Sequence, residues 1–498
     1  MQRIDPPSAA WPLFRAQTSR AIEHQAQAVL PGHTLMQRAG SAVTRLALAI
    51  APHAQRVWIA AGPGNNGGDG LEAAAGLVAA GKTVHVTLQA DAQRLPRDAA
   101  RALARARAAG VAISTERPAD LGAQDLAIDA LLGLGASRAP AGAIAELIGH
   151  LNRLPCPVLA VDLPSGLDSD TGRPLGAEVV RASHSLSLLT MKPGLFTGNG
   201  RDHAGSVWFD CLAVETPDRP DAWLSGGAVM LRTVPRHHAH HKGSYGDVHV
   251  VGGSTGMRGA ALLAARAAHA AGAGRVHVAL LDDASLTHDP LRPELMFRPQ
   301  WWLRSAPEIA ASTVVCGCGG GTVVRGALPP LLAHATRLVL DADALNAIAA
   351  DSSLQVQLRA RAARGRATVL TPHPLEAGRL LDVGAAQVQA DRLVAAQQLA
   401  ARYACAIVLK GSGSVIAAPG AVAHINPTGG AALATAGTGD VLAGWIAGLW
   451  AQAPSASLEA AFQAATQSVF RHGLAGDRSD EIPLRAANLI DAMMRLSA

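Results

Sequence analysis

The chain has 498 residues, of which 49% are hydrophobic and 16% charged, with a formal net charge of +5 and an isoelectric point of about 9.2. This composition supports roughly two to four domains with large cores and excludes bulk disorder. Lysine and arginine are scattered and rarely alternate with aromatic residues, so nucleic acid is not the expected partner, whereas a mildly positive surface suits an anionic small molecule. No uncharged apolar run reaches the ~18 residues of a membrane span, and residues 1–14 lack the pattern of a signal peptide.

Cysteine usage points to a reducing compartment. The five cysteines form no CxxC pair and no zinc-binding spacing. Reduced thiols in a cytosol are the simplest interpretation, so we expect a cytoplasmic protein that binds neither membranes nor nucleic acids.

The first half alternates short apolar runs with alanine-rich stretches. The pattern predicts a helix over roughly 70–80 and strands at 57–60, 84–88, 126–129 and 158–162. Such alternation is typical of an α/β domain in which a parallel sheet is covered on both faces, giving three layers.

Three loops of this half follow predicted strand ends. Residues 65–70, Asn-Asn-Gly-Gly-Asp-Gly, form a glycine-rich segment whose oxygens suit a hard cation or a ribose and phosphate; a tight turn with a helix cap is the alternative. Asp129 precedes a second glycine-rich loop that contains Arg138, and Asp162 ends the next strand. Because ligands bind beyond the carboxyl ends of parallel strands, we expect the three loops to converge on one site.

The alternation breaks near residue 220, where prolines and glycines cluster. We therefore predict a domain boundary at 218–230, with domains of residues 1–222 and 223–498. The histidine-rich segment 237–241 that follows has no carboxylate at metal-ligand spacing, so a solvated loop is favoured over a metal site. Lys242 and Gly243 beside it remain candidates for ligand contact.

The second half again alternates. It predicts helices at 260–271 and 393–401 and strands at 248–251, 275–280, 312–316, 337–341, 367–370 and 406–409. Three strand ends carry polar residues, namely Asp341, His373 between two prolines, and Lys410 beside glycines. A lysine among glycines suits a phosphate, whereas the histidine fits a binding or a structural role equally well.

The most informative segment is Ala-Thr-Ala-Gly-Thr-Gly-Asp at 434–440, which reads as a glycine-rich turn that opens a helix. Free amides at a helix start bind anions. Asp440 would repel a phosphate there unless it had another task, such as accepting a proton from a substrate hydroxyl while the amides hold a phosphoryl group. The alternative is a plain glycine-rich loop with an aspartate cap.

In their order along the chain, these motifs resemble the bifunctional NAD(P)H-hydrate repair enzymes, which fuse an epimerase to an ADP-dependent dehydratase. The matching segments are 35–40, 65–70, 129–140, 162–172, 191–198, 241–243, 252–254, 341–345, 371–376, 410–414 and 426–444. The resemblance implies a Rossmann-like epimerase domain followed by a ribokinase-like dehydratase domain. It implies that the substrate is NADH or NADPH hydrated at C6 of the nicotinamide ring, in R and S forms.

For the epimerase half, the resemblance implies two hydrate-binding loops and an aspartate that contacts the hydrate. Asp162 is the implied hydrate contact and catalytic residue, because epimerisation needs proton movement at the C6 hydroxyl. The implied potassium ligands are Asn66, Asp129 and Ser165. The loop residues are Asn65, Asn66, Gly67, Gly68 and Asp69, and Gly133, Leu134, Gly135, Ala136, Ser137, Arg138 and Ala139.

For the dehydratase half, the resemblance implies that Asp440 is catalytic and contacts the hydrate together with Ala260, Gly321 and His373. The implied nucleotide site consists of Lys410, Gly411, Ser412, Gly413, Ser414 and Gly439. ADP is the implied co-substrate, and we expect Mg²⁺ with it and a homo-oligomeric protein.

Two departures from the family pattern and two rival functions accompany this interpretation. Cys318 and Gly320 replace the usual Pro and Leu of the 317–321 loop, and Glu72 interrupts the Val/Ala-rich helix, where we expect it to face solvent. A ribokinase-like kinase would also use the Asp440 motif. A non-catalytic nucleotide-binding scaffold is the other alternative, although a binder needs no proton acceptor at Asp162 or Asp440.

Overall fold

The computed structural model describes residues 1–4, 9–118, 120–216, 219–227, 233–282, 286–482 and 484–496. They form two compact units, one made of Pro12–Ala222 with the first residues of the chain, and the other made of the chain from Trp223 onward with the residues just before Pro12. Of the predicted boundary region 218–230, residues 218 and 228–230 lie outside the described residues.

The N-terminal half contains nine strands and six α-helices among its described residues. The strands are β1 (Gln2–Arg3), β2 (Trp11–Leu13), β3 (Arg56–Ala61), β4 (Thr83–Leu88), β5 (Ala112–Ser114), β6 (Leu126–Ala130), β7 (Val158–Val161), β8 (His184–Leu188) and β9 (Ser206–Asp210). The helices are α1 (Ala16–Val29), α2 (Thr34–Ile50), α3 (Asn65–Ala79), α4 (Arg97–Ala108), α5 (Gly142–Leu151) and α6 (Gly200–His203), with 3₁₀ turns at Ala92–Arg94 and Pro193–Leu195.

The sheet of the first unit has the order β1-β9-β8-β7-β6-β3-β4-β5. All neighbours are parallel except β1 and β9. Alternate residues of the central strand face different helices: Trp58 of β3 packs in one core with Ile148 of α5, and Ile59 packs in the other with Leu46 of α2. Helices therefore cover both faces, as the predicted three-layer arrangement requires.

The glycine-rich segment 65–70 corrects one prediction. We expected a turn followed by a helix from about 70, but α3 begins at Asn65, so the segment forms its first turns. Glycine in a helix costs about 1 kcal/mol relative to alanine. Close packing outweighs that preference here, because a Cβ on Gly67 would lie 2.1 Å from the Gly62 carbonyl oxygen and one on Gly68 would lie 2.6 Å from Met36.

The described residues of the C-terminal half contribute ten strands. They are β10 (Ala222–Leu224), β11 (Asp247–Gly252), β12 (Arg275–Leu280), β13 (Met296–Phe297), β14 (Thr313–Cys316), β15 (Arg337–Leu340), β16 (Ala367–Leu370), β17 (Ala406–Leu409), β18 (Val415–Ala417) and β19 (His424–Ile425). The sheet order is β13-β12-β11-β14-β15-β16-β17-β18-β19-β10, and β2, whose Trp11 is counted with this unit, completes it. The seven strands from β13 to β17 in this order are all parallel to their neighbours.

The helices of this half pack around that sheet. They are α7 (Arg258–Ala270), α8 (Ala306–Ala310), α9 (Val324–His334), α10 (Asp343–Ala349), α11 (Ser352–Ala363), α12 (Pro374–Leu381), α13 (Ala385–Ala390), α14 (Arg392–Tyr403), α15 (Thr438–Ala451), α16 (Leu458–Asp477) and α17 (Ala486–Arg495), with 3₁₀ turns at Lys242–Tyr245, Trp301–Leu303 and Ala431–Leu433.

Helix α15 is central to this unit. Its residues from Val441 to Ala451 are all buried. It lies directly on the backbone of α7, because a Cβ on Gly444 would be 2.0 Å from the Ala264 carbonyl oxygen and one on Gly448 would be 2.2 Å from that of Ala268. The two glycines thus permit a helix–helix approach that fixes where the start of α15 lies.

The α/β fold class is confirmed, and so are the predicted strands. All ten strands predicted from the sequence are present, each with ends within one residue of the prediction, and the two predicted helices appear as α7 and α14. The histidine-rich segment is an exposed loop at His237, His238 and His241. Among the described residues, no helix combines the length and apolarity needed to cross a bilayer. The five cysteines are free thiols.

Candidate active sites

A cleft of about 790 Å³ opens at the carboxyl ends of the first sheet. The three loops expected to converge do meet there: the start of α3 contributes Asn65, Asn66 and Asp69, the second loop contributes residues 133–139, and Asp162 follows β7. Gly67 and Gly68 do not line the cleft, because Gly67 packs against the Gly62 backbone and Gly68 against Met36. The strand-end loops therefore build one cavity of a size suited to a nucleotide-like ligand.

Asn66 connects two of these loops. Its side chain is 8% exposed, and its Nδ2 atom is buried with no hydrogen-bond partner among the described residues. Gly133 lies against it, since a Cβ there would be 3.1 Å from Asn66 Oδ1. A buried amide with an unused polar atom at the edge of a cleft is costly, so it indicates a ligand contact.

Asp129 and Ser165 lie beneath the cleft rather than among the residues that line it. Ser165 donates through its hydroxyl to Asp129 Oδ1 at 2.6 Å and through its amide to Oδ2 at 2.8 Å, and its hydroxyl accepts from the Leu132 amide at 2.8 Å. Burial raises the pKa of the Asp129 carboxyl to about 6. No described lysine, arginine or histidine forms an ion pair with it, and these oxygens fit a hard monovalent cation.

Asp162 is held in a strained geometry beside a lysine. Its φ of 68° is in the left-handed region, which is uncommon for aspartate and typical of functional sites. Lys192, 2% exposed, forms an ion pair with Asp162 and also donates to the Leu188 carbonyl at 2.8 Å. Asp162 thus presents a carboxylate whose charge is balanced by a buried ammonium group.

Asp69 is the other carboxyl group that α3 brings to the cleft. Burial, reinforced by the charges of Asp162 and Glu23, holds the pKa of Asp69 well above its usual range. Carboxyl groups with such different surroundings in one cleft can act as acid and base.

Glu72 corrects a second prediction, because it does not face solvent. Its side chain is 3% exposed and lies 2.7 Å from His33 Nε2 and 3.2 Å from Arg105 Nη1. The face of α3 that carries Glu72 packs on α2, where a Cβ on Gly40 would lie 2.2 Å from Glu72 Cβ. The carboxylate is therefore stabilised by two partners, His33 just before α2 and Arg105 in α4.

In the second unit, the loops after β14, β15, β16 and β17 lie side by side because these strands are sheet neighbours. Lys410, after β17, donates to Asp341, after β15, at 2.7 Å, and its Nζ lies 4.0 Å from Glu376 in α12. Gly439 is close to the same lysine, since a Cβ there would be 3.5 Å from Lys410 Nζ. The predicted nucleotide residues Lys410 and Gly439 are thus brought together.

The rest of the predicted nucleotide loop follows Lys410 directly. Ser414 donates through its hydroxyl to the Gly411 carbonyl at 3.1 Å, and Gly411 and Gly413 have positive φ values of 134° and 60°. Arg392 donates to the Lys410 carbonyl from beneath at 3.2 Å. Together with Ser412, these residues form a tight turn at the strand end.

Asp440 lies in the first turn of α15, after Gly437 with its φ of 91°. Asp440 is grouped with Cys318 and Asp341, whose sulfur and carboxylate oxygens all lie within 4.8 Å of one another. Burial and the nearby charge of Asp341 raise the pKa of Asp440 to about 6. A carboxylate with this pKa at a helix start can accept a proton near neutral pH.

The remaining predicted hydrate contacts surround this group. Gly321 donates to Asp343 Oδ2 at 2.8 Å and lines an open cleft of about 530 Å³. Ala260 lies on the other side of the same loop, next to Gly319. His373 is half-exposed and caps α12, since its Nδ1 accepts from the Leu375 amide at 3.1 Å, and its Nε2 lies 3.3 Å from Glu376 Oε1.

Comparison with known proteins decides the family. Residues 32–194 match the model of the YjeF-related protein N-terminus, and residues 248–495 match that of NAD(P)H-hydrate dehydratase. The bifunctional NAD(P)H-hydrate repair enzyme of Escherichia coli (strain K12) is 36% identical over 459 residues, covering 89% of this chain and 85% of its own length. That of Coxiella burnetii is 35% identical over 486 residues, covering 94% and 95%.

The chain belongs to the bifunctional NAD(P)H-hydrate repair enzyme family. The resemblance inferred from the sequence motifs is thereby confirmed. Among solved structures, the ADP/ATP-dependent NAD(P)H-hydrate dehydratase from Bacillus subtilis, co-crystallised with ATP/Mg²⁺, is 29% identical with a TM-score of 0.43, covering 53% of this chain and 94% of that chain. A ribokinase-like protein from Enterococcus faecalis is 23% identical with a TM-score of 0.47, covering 57% and 99%.

For this member of the repair enzyme family, the structure adds site residues that the sequence did not assign. Lys192 beside Asp162, Asp341 and Glu376 beside Lys410, and Cys318 beside Asp440 belong to the two sites by geometry. The sequence feature that could have identified Lys192 as a site residue was the presence of a lysine in the largely apolar segment 188–196. Cys318 was visible only as a departure from the family pattern.

Proposed function

We propose that this protein repairs hydrated nicotinamide cofactors with two separate activities. Residues 1–222 interconvert the R and S forms of NAD(P)H hydrate, and residues 223–498 dehydrate the S form to NAD(P)H at the expense of ADP, leaving AMP and phosphate. The observation that carries the proposal is the pair of independent sites, the cleft around Asp162 and the strand-end group around Asp440, in a chain related along most of its length to bifunctional repair enzymes.

In the dehydratase unit, Asp440 accepts the proton of the C6 hydroxyl as that oxygen attacks the terminal phosphorus of ADP and AMP leaves. The amides at 437–439 and the Lys410 ammonium stabilise the developing negative charge. The ring nitrogen lone pair then expels phosphate from C6, and loss of a C5 proton completes the double bond. Ala260, Gly321 and His373 hold the hydrate, and residues 410–414 with Gly439 hold the nucleotide.

Mg²⁺ accompanies ADP in this proposal, where it neutralises phosphate charge when bound. Asp343, beside Asp341 at the end of β15, offers a carboxylate oxygen of the kind that Mg²⁺ takes together with phosphates and water. The loop at 410–414 favours ADP as donor, so initial rates with ADP should exceed those with ATP at equal concentrations. A clearly faster rate with ATP would contradict the donor assignment.

In the epimerase unit, Asp162 exchanges a proton with the C6 hydroxyl, while residues 65–69 and 133–139 hold the hydrate. Asn66, Asp129 and Ser165 would hold potassium, which supplies a fixed positive charge close to the hydrate loops. Support comes from the buried Asp129 carboxylate, which has no ion-pair partner among the described residues. We also propose that the protein is cytoplasmic and forms a homo-oligomer.

The decisive experiment incubates the full-length protein with acid-prepared NADH hydrate, ADP, Mg²⁺ and KCl and follows the absorbance of regenerated NADH. Conversion of both epimers to NADH, with AMP and phosphate formed in equal amounts, is expected. A phosphorylated product that accumulates without NADH would identify a kinase instead. Binding of the hydrate without turnover would identify a scaffold.

A further inference from the structure

The cleft of the first unit contains a carboxyl group for which the proposed function has no role. Glu23, in the middle of α1, lines the cleft together with Asp69 and Asp162. Lys192 pairs with Asp162, and no ion pair to Glu23 is present among the described residues. Glu23 and Asp162 therefore face the same cavity from different elements of the fold, and of the two only Asp162 has an ion-pair partner among the described residues.

The surroundings of Glu23 show that it belongs to the site rather than to the surface. The charges that act on it are those of Arg20 and His24 on its own helix and those of Asp162 and Lys192 across the cleft. Its Oε1 accepts from the exposed Gln27 amide at 3.2 Å, one turn along α1. Burial, followed by the charge of Asp162, raises the pKa of Glu23 above its usual range.

The chemistry of the substrate requires such a second group, an argument that rests on the proposed function. C6 of the hydrate carries a hydroxyl group and is bonded to the ring nitrogen N1, so it is a hemiaminal. Inversion at C6 follows if the C6–N1 bond breaks, the hydroxyl becomes an aldehyde, and the ring closes again after rotation about C5–C6. Opening needs a base for the hydroxyl proton and an acid for N1.

We propose that Glu23 is a further catalytic residue of the epimerase and donates the proton to N1 while Asp162 accepts the proton of the C6 hydroxyl. The C6–N1 electron pair moves to N1, and the O–H electron pair forms the C6=O bond. After rotation, N1 attacks the other face of the carbonyl, Glu23 recovers its proton from N1, and Asp162 returns its own to the oxygen. No oxidant or further reactant is consumed.

Glu23 suits the donor role better than Asp69, which lines the same cleft. A donor must lose and regain its proton in each cycle, which is easiest when its pKa is near the working pH and solvent is within reach. Glu23 is half-buried and contacts an exposed amide. Burial and the charges of Asp162 and Glu23 raise the pKa of Asp69 well above its usual range, so Asp69 gives up a proton less readily than Glu23.

The test compares full-length Glu23→Gln and Glu23→Asp with wild type by following the interconversion of separated R and S hydrates without ADP. Glu23→Gln should lower kcat by about 10² or more, with KM changed by less than about threefold. Glu23→Asp should restore part of the rate. The wild-type rate should fall at high pH as the donor loses its proton, and the midpoint of this limb should move in Glu23→Asp. Glu116→Gln, an exposed residue outside the cleft, is the matched control and should stay within about twofold of wild type.

The outcomes separate this proposal from the proposed function. If wild type does not interconvert the hydrates at all, the epimerase assignment itself fails. If wild type is active and a folded Glu23→Gln keeps more than about a third of its rate with the same basic limb, the role of Glu23 is overturned. Should Glu23→Gln unfold, Glu23→Asp decides: an unchanged rate and limb would also overturn it.

Isotope labelling tests the ring-opening step independently. In H₂¹⁸O, ring opening keeps the original oxygen on C6, whereas loss and readdition of water would introduce one label for each inversion. Retention of unlabelled oxygen at early times, corrected for uncatalysed exchange, is the expected result. Full label incorporation would remove the need for a donor at N1 and overturn the proposal.

Discussion

The two units differ in how a lysine is placed relative to the proposed catalytic aspartate. Each places a helix start beside a lysine–aspartate pair at the carboxyl ends of a parallel sheet. In the first unit, Lys192 pairs directly with Asp162, the proposed catalytic residue. In the second, Lys410 pairs with Asp341, and Asp440 has no ion-pair partner among the described residues. The pKa of Asp440 is raised to about 6.

The difference teaches how an ion pair can either fix a catalytic charge or tune a neighbouring one. Lys192 contacts Asp162 directly and stabilises its carboxylate. Lys410 contacts Asp341 instead, so the negative charge of Asp341 still repels that of Asp440. Asp162 therefore keeps a cationic partner beside it when it exchanges a proton with the hydrate, whereas Asp440, without such a partner, suits a base that gains and releases a proton near neutral pH. Four predictions test this contrast.

The largest expected effect is on the dehydratase. Asp440→Asn should lower the rate of NADH formation from the S hydrate by about 10²–10⁴, because the amide cannot accept a proton. ADP binding and the R/S interconversion by the same chain should be nearly unchanged, and both serve as controls. Retention of more than about half the wild-type rate would remove Asp440 from the role of base.

Stability should distinguish the two lysines. Lys192→Met leaves Asp162 buried without its partner and should lower the free energy of unfolding of the first unit by about 3–5 kcal/mol. Lys410 is 21% exposed, so Lys410→Met should cost less in the second unit. Urea unfolding of the full-length variants measures both, and Lys192→Met combined with Asp162→Asn should recover part of the loss. Equal destabilisation by the two lysine variants would contradict the contrast.

The pH dependence of the dehydratase follows from the raised pKa of Asp440. Because the base acts only when ionised and its pKa is about 6, the rate should be constant above about pH 7 and fall roughly tenfold per unit below pH 6. A pH profile of kcat/KM with saturating ADP measures this. The acidic limb should be absent from the residual activity of Asp440→Asn, and its persistence at the same midpoint would assign it to another group.

The smallest expected effect is that of potassium on the unfolding temperature of the first unit. Burial raises the folded-state pKa of Asp129 to about 6, above its unfolded value, so ionisation of Asp129 lowers stability as pH rises from about 4 to about 6. A cation that binds the ionised form offsets this loss. KCl should therefore raise the unfolding temperature of the first unit by a few degrees at pH 7.5 but not at pH 5.

The controls for potassium are an organic cation and a ligand variant. Tetramethylammonium chloride at equal ionic strength should not raise the unfolding temperature. Asp129→Ala should abolish the potassium effect and slow epimerisation by about tenfold or more. Equal unfolding temperatures and epimerisation rates in the two salts would rule out a potassium site at Asp129.

Strand positions and strand-end motifs were readable from the sequence because parallel strands are continuous apolar runs and their polar ends stand out. Asp129, Asp162, Asp341 and Lys410 all emerged in this way. The helical start of α3 was not readable, because three glycines in six residues argue against a helix and only packing against Gly62 and Met36 reverses that preference. The prediction for Glu72 was wrong for a related reason, since its partners His33 and Arg105 come from other elements of the fold.

Pairings between distant residues were also beyond the sequence. Nothing local to Asp162 indicates that Lys192 neutralises it, and nothing local to Asp440 indicates that Asp341 lies beside it. These contacts depend on which strands are neighbours in the sheet, and that order is a property of the whole domain. The sequence could therefore identify candidate residues at the strand ends, but not which partners set their electrostatic state.

The close seating of α15 on α7 has an electrostatic consequence of its own. Gly444 meets Ala264 and Gly448 meets Ala268, so the two helices run in the same direction and begin at the same end of the unit. Two aligned macrodipoles then concentrate positive potential where α15 begins, a field made by peptide groups rather than by side chains. This attraction for an anion does not depend on side-chain protonation, so it partly offsets the repulsion from Asp440 whenever Asp440 is ionised.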